Sequence, residues 1–169
     1  MSGSILFEHR QVEDALNSIA DAMPGTEVYL VGIHSGGADV ADAIQSRLEA
    51  RGTTVYRGNL DISFYRDDLD RIAPNPLVRT SKLPFDVSDK TIWLVDDVLY
   101  TGRTIRAAMD ELFDYGRPAS IHLAVLVDRG GRQLPIAAQC TGFEHVAAAD
   151  CTVELVTGET WKIEQRQVK

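Results

Sequence analysis

Residues 91–105 read Thr-Ile-Trp-Leu-Val-Asp-Asp-Val-Leu-Tyr-Thr-Gly-Arg-Thr-Ile, an apolar run, two adjacent carboxylates and a small-residue turn that opens a helix. Ile92 to Val95 have the unbroken apolar character of a strand buried on both faces. Residues 103–115 predict a helix with Ile105, Met109 and Leu112 on one side. A strand buried on both faces belongs in a parallel sheet covered by helices on either side, so this run constrains the fold class more than any other part of the chain. The turn falls within residues 100–104.

A turn running into a helix N-terminus leaves backbone N–H groups unpaired and adds the positive end of the helix dipole, which together attract a phosphate dianion. Val98, Leu99, Tyr100, Thr101, Gly102, Arg103 and Thr104 are the candidate phosphate-binding segment. Gly102 allows close backbone approach, and Thr101 and Thr104 add hydroxyl donors. Asp96 and Asp97 lie just upstream, at the carboxyl end of the strand where open α/β sheets bind ligands. Carboxylates repel a phosphate, so these two suit the hydroxyls of a sugar, reached directly or through a divalent metal. The expected ligand is a phosphorylated sugar.

The rest of the chain repeats the same alternation. Residues 11–23 predict a helix with Val12, Leu16, Ile19 and Ala20 on one face, ended by Pro24-Gly25. Residues 27–33 predict a strand and 38–50 a helix, the first crossover of a parallel sheet. Residues 53–64 give one or two strands. Residues 65–84 are rich in charge and include Pro74, Pro76 and Pro84. The segment reads as a long loop or an extended hairpin, and loops of that length tend to be lids, binding loops or disordered; for a ligand with an activated phosphate, a lid is expected. Residues 120–127 predict another buried strand. Beyond residue 133, short strands at 151–156 and 160–164 are expected to form a small hood. The predicted fold is α/β, an open and mainly parallel sheet flanked by helices, as one domain over residues 1–169 with a lid at about 65–84 and a hood at about 133–169.

With 169 residues the chain is long enough for a proper core. No apolar run reaches membrane-spanning length, and residues 1–10 lack the basic start and long apolar segment of a signal peptide, so a cytoplasmic location is expected. Cys140 and Cys151 lack the number for a disulfide framework and the spacing of metal ligands, and read as buried or half-buried thiols. Seventeen Lys and Arg against 25 Asp and Glu give a net charge of −8, the wrong overall sign for a polyanion binder.

The run from Val95 to Thr104 resembles the phosphoribosyl pyrophosphate (PRPP) signature of the type I phosphoribosyltransferases. Its wording is similar to the PyrR family, pyrimidine-operon attenuation regulators that are also uracil phosphoribosyltransferases. Residues 61–69 (Asp-Ile-Ser-Phe-Tyr-Arg-Asp-Asp-Leu), Gly116-Arg117-Pro118 and residues 123–135 extend the resemblance in the expected order. It implies a type I phosphoribosyltransferase fold, uracil and PRPP as substrates, UMP as product, Mg²⁺ as the companion of PRPP, and a homodimer.

By the same resemblance, Asp96 and Asp97 hold the ribose, favour its cationic transition state and meet the metal indirectly, while residues 98–104 bind the 5-phosphate. Arg66 in the lid reaches the pyrophosphate; read alone, it is a surface charge beside Asp67 and Asp68. Arg129 lies beside base and phosphates; read alone, it is an exposed turn cation. Val153 offers a backbone contact to the pyrimidine edge; read alone, it is core. Ser35 and Gly36 fall in the pyrophosphate loop, where the family usually carries Thr-Arg-Gly after a basic residue. Here the loop is His34-Ser35-Gly36-Gly37, so a guanidinium is missing and weaker pyrophosphate binding is expected. His34 reads equally as a loop histidine or a ligand contact.

The family's second activity is binding of a leader-RNA stem-loop, which needs a basic face. The RNA-binding members draw several basic residues from the first helix. Residues 11–25 of this chain hold Glu13, Asp14 and Asp21 with no Lys or Arg, a local charge of −3. Arg132 is retained, but Gly131 and Phe143 stand where basic residues are common. RNA attenuation is therefore expected to be weak or lost. Two other readings stay open: a UMP- or UTP-sensing RNA-binding attenuator with little catalysis, and a purine-specific relative.

Overall fold

The computed structural model describes residues 3–62 and 81–168. The chain order is β1 (Ser4–Phe7), α1 (His9–Asp21), β2 (Glu27–Ile33), α2 (Gly36–Ala50), β3 (Thr54–Leu60), β4 (Thr91–Leu99), α3 (Arg103–Phe113), β5 (Ser120–Asp128), β6 (Cys140–Glu144), β7 (Cys151–Val156) and β8 (Lys162–Gln167). Most of the predicted lid, Arg66 included, lies outside the described residues.

Five strands form one parallel sheet in the order β3-β2-β4-β5-β6. The central strand β4 shows why the sheet is covered on both sides. Trp93 and Val95 join a core with Val12, Leu16 and Ile19 of α1 and Val40, Ile44 and Leu48 of α2. Ile92 and Leu94 join the opposite core with Ile105, Ala108 and Leu112 of α3. Alternate side chains of a strand point to opposite faces, so the apolar run serves two cores at once. Each fully buried Leu or Ile side chain contributes about 1.5–3 kcal/mol relative to exposure.

Helix α3 starts at Arg103 as predicted, whereas α1 and α2 start two residues earlier than predicted, for local reasons. In α1, Glu8 is the cap and forms a capping box with Gln11, whose Oε1 accepts from the Glu8 N–H at 2.9 Å. Gln11 is thus inside the first turn, and Arg10 is part of the helix. In α2 the helix begins at Gly36. Strand β4 also runs on to Leu99, so both carboxylates and Val98 and Leu99 are strand residues, and the turn shrinks to Tyr100, Thr101 and Gly102.

The hood differs from its sequence outline. A three-stranded antiparallel sheet in the order β1-β8-β7 joins the N-terminal strand to the last two. Residues 140–144, placed in the hood by sequence, are instead the fifth strand of the main sheet, with Val125 beside Thr141 and Val127 beside Phe143. Strand β8 begins two residues later than expected because Thr160 belongs to the connection from β7. Both β1 and β6 are short and part-exposed; β6 has no apolar run, and the Ile5-Leu6-Phe7 run of β1 is too short to announce a strand. The hood rests on the main sheet through Phe7 of β1, which stacks on Phe143 at a centroid distance of 3.8 Å. The start of α1 is tied to it as well, since the Trp161 N–H donates to His9 Nδ1 at 3.1 Å.

Candidate active site

The carboxyl end of β4 opens into a cavity of about 870 Å³. One wall is Asp96, Val98 and Leu99 with the Tyr100–Gly102 turn and the first turn of α3, including Arg103 and Thr104. The opposite wall is Arg129 at the end of β5 and Cys151, Thr152 and Val153 of β7. The parallel sheet and the hood therefore meet at this space.

Local chemistry sets the turn. Gly102 caps α3 with φ of 92°, a left-handed conformation that glycine adopts without steric cost. The Thr101 hydroxyl accepts from the Arg103 N–H at 3.2 Å, holding the entry to the helix. Asp96 is buried and accepts its neighbour's N–H at 2.9 Å, and Asp97 in turn accepts from the Val98 N–H at 2.9 Å. These contacts fix both carboxylates on the strand instead of leaving them to solvent.

Asp97, Ser35 and Gly36 do not line the cavity; they meet each other beside it. A Cβ on Gly36 would stand 2.1 Å from Asp97 Oδ2, and one on Gly37 would stand 2.4 Å from the Val95 carbonyl oxygen. The two glycines are thus needed for the N-terminus of α2 to seat against β4. Ser35 is exposed, and the peptide joining it to His34 is cis.

Arg129 is buried, not an exposed turn cation. Its guanidinium donates to the Cys151 carbonyl at 2.6 Å and the Ala148 carbonyl at 3.0 Å, and lies 3.8 Å from the centroid of the Tyr100 ring. It couples the turn after β4 to the hood. Burial and Asp150 push the Cys151 thiol up, so this wall offers no thiolate nucleophile at pH 7. Sequence reasoning did not select Gln133, Ala149, Cys151, Thr152 or Val168 for this cavity. Four of them sit on or beside hood elements more than forty residues from the central motif, where no local pattern marks them.

The phosphoribosyl transferase domain family matches residues 4–154. A bifunctional protein PyrR of Deinococcus radiodurans is 49% identical over 146 residues, covering 85% of this chain and 80% of the relative. The chain belongs to the PyrR family. A PyrR of Thermus thermophilus is 54% identical over 128 residues, covering 75% of this chain and 71% of the relative. The hypoxanthine phosphoribosyltransferase of Trypanosoma cruzi superposes with a TM-score of 0.71 at 16% identity, covering 99% of this chain and 98% of that one. That likeness shows the type I phosphoribosyltransferase fold. The β2–α2 turn of this chain, His34-Ser35-Gly36-Gly37, departs from the basic residue and Thr-Arg-Gly that the resemblance leads one to expect there. Among the described residues no helix is long and apolar enough to cross a membrane.

Proposed function

We propose that this chain is a uracil phosphoribosyltransferase, converting uracil and PRPP to UMP and pyrophosphate. The observation that carries the reading is one cavity with the 98–104 segment on one wall and the β7 strand on the other. Its volume suits a nucleotide-sized ligand. The first turn of α3 and the Tyr100–Gly102 turn receive the 5-phosphate. Asp96 and Asp97 hold the ribose hydroxyls and stabilise the positive charge that grows on the sugar as pyrophosphate leaves. Strand β7 is an edge strand of the hood, so its outer backbone groups are open to the pyrimidine edge at Val153. Arg129 contributes by holding that strand and Tyr100 in place.

Among the described residues no cluster of three or more His, Cys, Asp or Glu side chains could cage a metal. This suits Mg²⁺ carried mainly on the phosphates of PRPP, with Asp96 and Asp97 meeting it through water. When bound, Mg²⁺ would supply the charge that offsets the leaving pyrophosphate. Ser35 and Gly36 receive that pyrophosphate beside Asp97, and Arg66 from the 65–84 segment adds a guanidinium. The protein works in the cytoplasm as a homodimer.

Leader-RNA attenuation is weak or lost in this reading. Arg10 within α1 reduces the helix charge to −2 over His9–Asp21, and Glu13 is paired with Arg47 at 2.6 Å, yet Asp14 and Asp21 stay exposed. The deciding experiment is UMP formation from uracil and PRPP with Mg²⁺, beside Asp97→Asn. Turnover in the wild type that falls by about a hundredfold in the variant is expected. A folded wild type that makes IMP or GMP but no UMP would replace uracil with a purine. One that makes no nucleotide yet binds UMP would favour the sensing attenuator.

A further inference from the structure

Residues 129–136 form a second layer behind the phosphate turn, and Arg132 is its centre. All three nitrogen groups of the Arg132 guanidinium are occupied inside the protein. Nε donates to the Ile136 carbonyl at 2.8 Å, one terminal nitrogen donates to the Tyr100 carbonyl at 2.6 Å, and the other pairs with Asp128 at 2.5 Å. The neighbouring backbone adds to this. The Arg129 N–H donates to the Leu99 carbonyl at 3.0 Å, and the Gln133 and Leu134 N–H groups both donate to the Thr101 carbonyl, at 2.9 and 3.1 Å. Three successive carbonyls, from Leu99 to Thr101, are thereby drawn to one side.

A trans peptide points its C=O and N–H in opposite directions. With the Tyr100 and Thr101 carbonyls fixed on the 129–136 layer, the N–H groups of Thr101 and Gly102 face away from it. Neither has an acceptor among the described residues. Left to itself, a three-residue turn ending in glycine has the freedom to rotate these peptides and present carbonyl oxygens to a phosphate, which would repel it.

We infer that Arg132 is a positioning residue for the phosphate site: its guanidinium holds the Tyr100 carbonyl back so that the turn presents donors to the 5-phosphate. This rests on the placement of the phosphate proposed above. It also gives Arg132 work that competes with an RNA contact, because one bond at each nitrogen already commits three of its five N–H groups inside the protein.

The test is calorimetric binding of ribose 5-phosphate to wild type, Arg132→Gln and Arg132→Lys, with steady-state kinetics beside it. Loss of one charge-assisted contact predicts roughly a tenfold to hundredfold loss of affinity in Arg132→Gln. KM for PRPP should rise in parallel, KM for the base should change little, and added guanidinium ion should restore part of the affinity. Lysine, with one donor reaching Tyr100, should fall between. A folded Arg132→Gln that binds ribose 5-phosphate within twofold of wild type would overturn the inference. Wild type that does not bind ribose 5-phosphate at all would instead overturn the placement of the phosphate. If Arg132→Gln does not fold, Asp128→Asn loosens the same guanidinium while keeping the side-chain shape, and a severalfold loss of ribose 5-phosphate affinity is expected there; an unchanged affinity counts against the inference.

Discussion

Glu164 shows how much of the hood depends on one carboxylate. It is buried in the middle strand of the small sheet, between Lys162 at 2.7 Å and Arg166 at 3.0 Å. Hydrogen bonds from Lys162 and then Arg166 hold its carboxyl below the usual range, outweighing the burial that pushes it up. A folded-state pKa that is depressed stabilises the protein above the unfolded value and loses that contribution as pH falls through the folded one. Thermal unfolding midpoints should therefore drop as the pH is taken below about 4.3, the ordinary glutamate value. Glu164→Gln should be less stable at neutral pH and show a shallower acid slope; a slope identical to wild type would mean that other carboxylates carry the acid sensitivity. Three other residues mark the reach of sequence reading at this scale. Asp96 and Asp97 were selected because paired carboxylates before a Thr-Gly turn have a chemical purpose. Arg132 was noted only as a retained cation, because nothing in a linear sequence shows that its partners are the carbonyls of Tyr100 and Ile136.

Among the elements, β2 was read from sequence to the residue, since Glu27–Ile33 carries its apolar run between clear breaks. Strands β1 and β6 are not legible for the opposite reason: each is short and half-exposed, and β1 is held by a partner at the far end of the chain. These two unread strands supply the stack that seats the hood, Phe7 on Phe143. Phe143 stands where the family resemblance leads one to expect a basic residue, and the aromatic contact is what the chain has in its place. Such a pair contributes about 0.5–1.5 kcal/mol beyond its burial. Phe143→Ala is expected to destabilise the protein by about 3 kcal/mol and, on the proposed placement of the base at the hood and the phosphate at the turn after β4, to raise KM for the base more than KM for PRPP. Equal rises in the two KM values would place the hood outside base recognition.

For the molecule as a whole, net charge is the property that most separates the two roles of the PyrR family. A value of −8 repels nucleic acid at long range, and α1 adds its own negative face. In a gel shift at physiological salt, a pyrimidine-leader stem-loop should not be retarded at sub-micromolar protein, and any binding seen at low salt should vanish steeply as salt is added. Tight, sequence-selective retardation would show that a local basic surface outweighs the overall charge. The fold class was legible because periodicity in β2, α2, β4 and β5 is strong and local. Of the candidate cavity's lining, the β4–α3 side was legible because its residues are contiguous, and the hood side became visible once the sheets were assembled.

The order of strands in the hood sets a constraint on manufacture. Its last strand in sequence, β8, is its middle strand, and β1 and β7 have contact with each other only through it. On the ribosome the chain is made from β1 onward, so the phosphate turn and its sheet are complete while β1 and β7 still lack their common neighbour. Until Lys162–Gln167 emerge, the protein holds half of a binding site with two unpaired strand edges beside it. A nascent chain stalled there would present an open cavity wall at the β4–α3 turn and a surface primed for pairing with other chains.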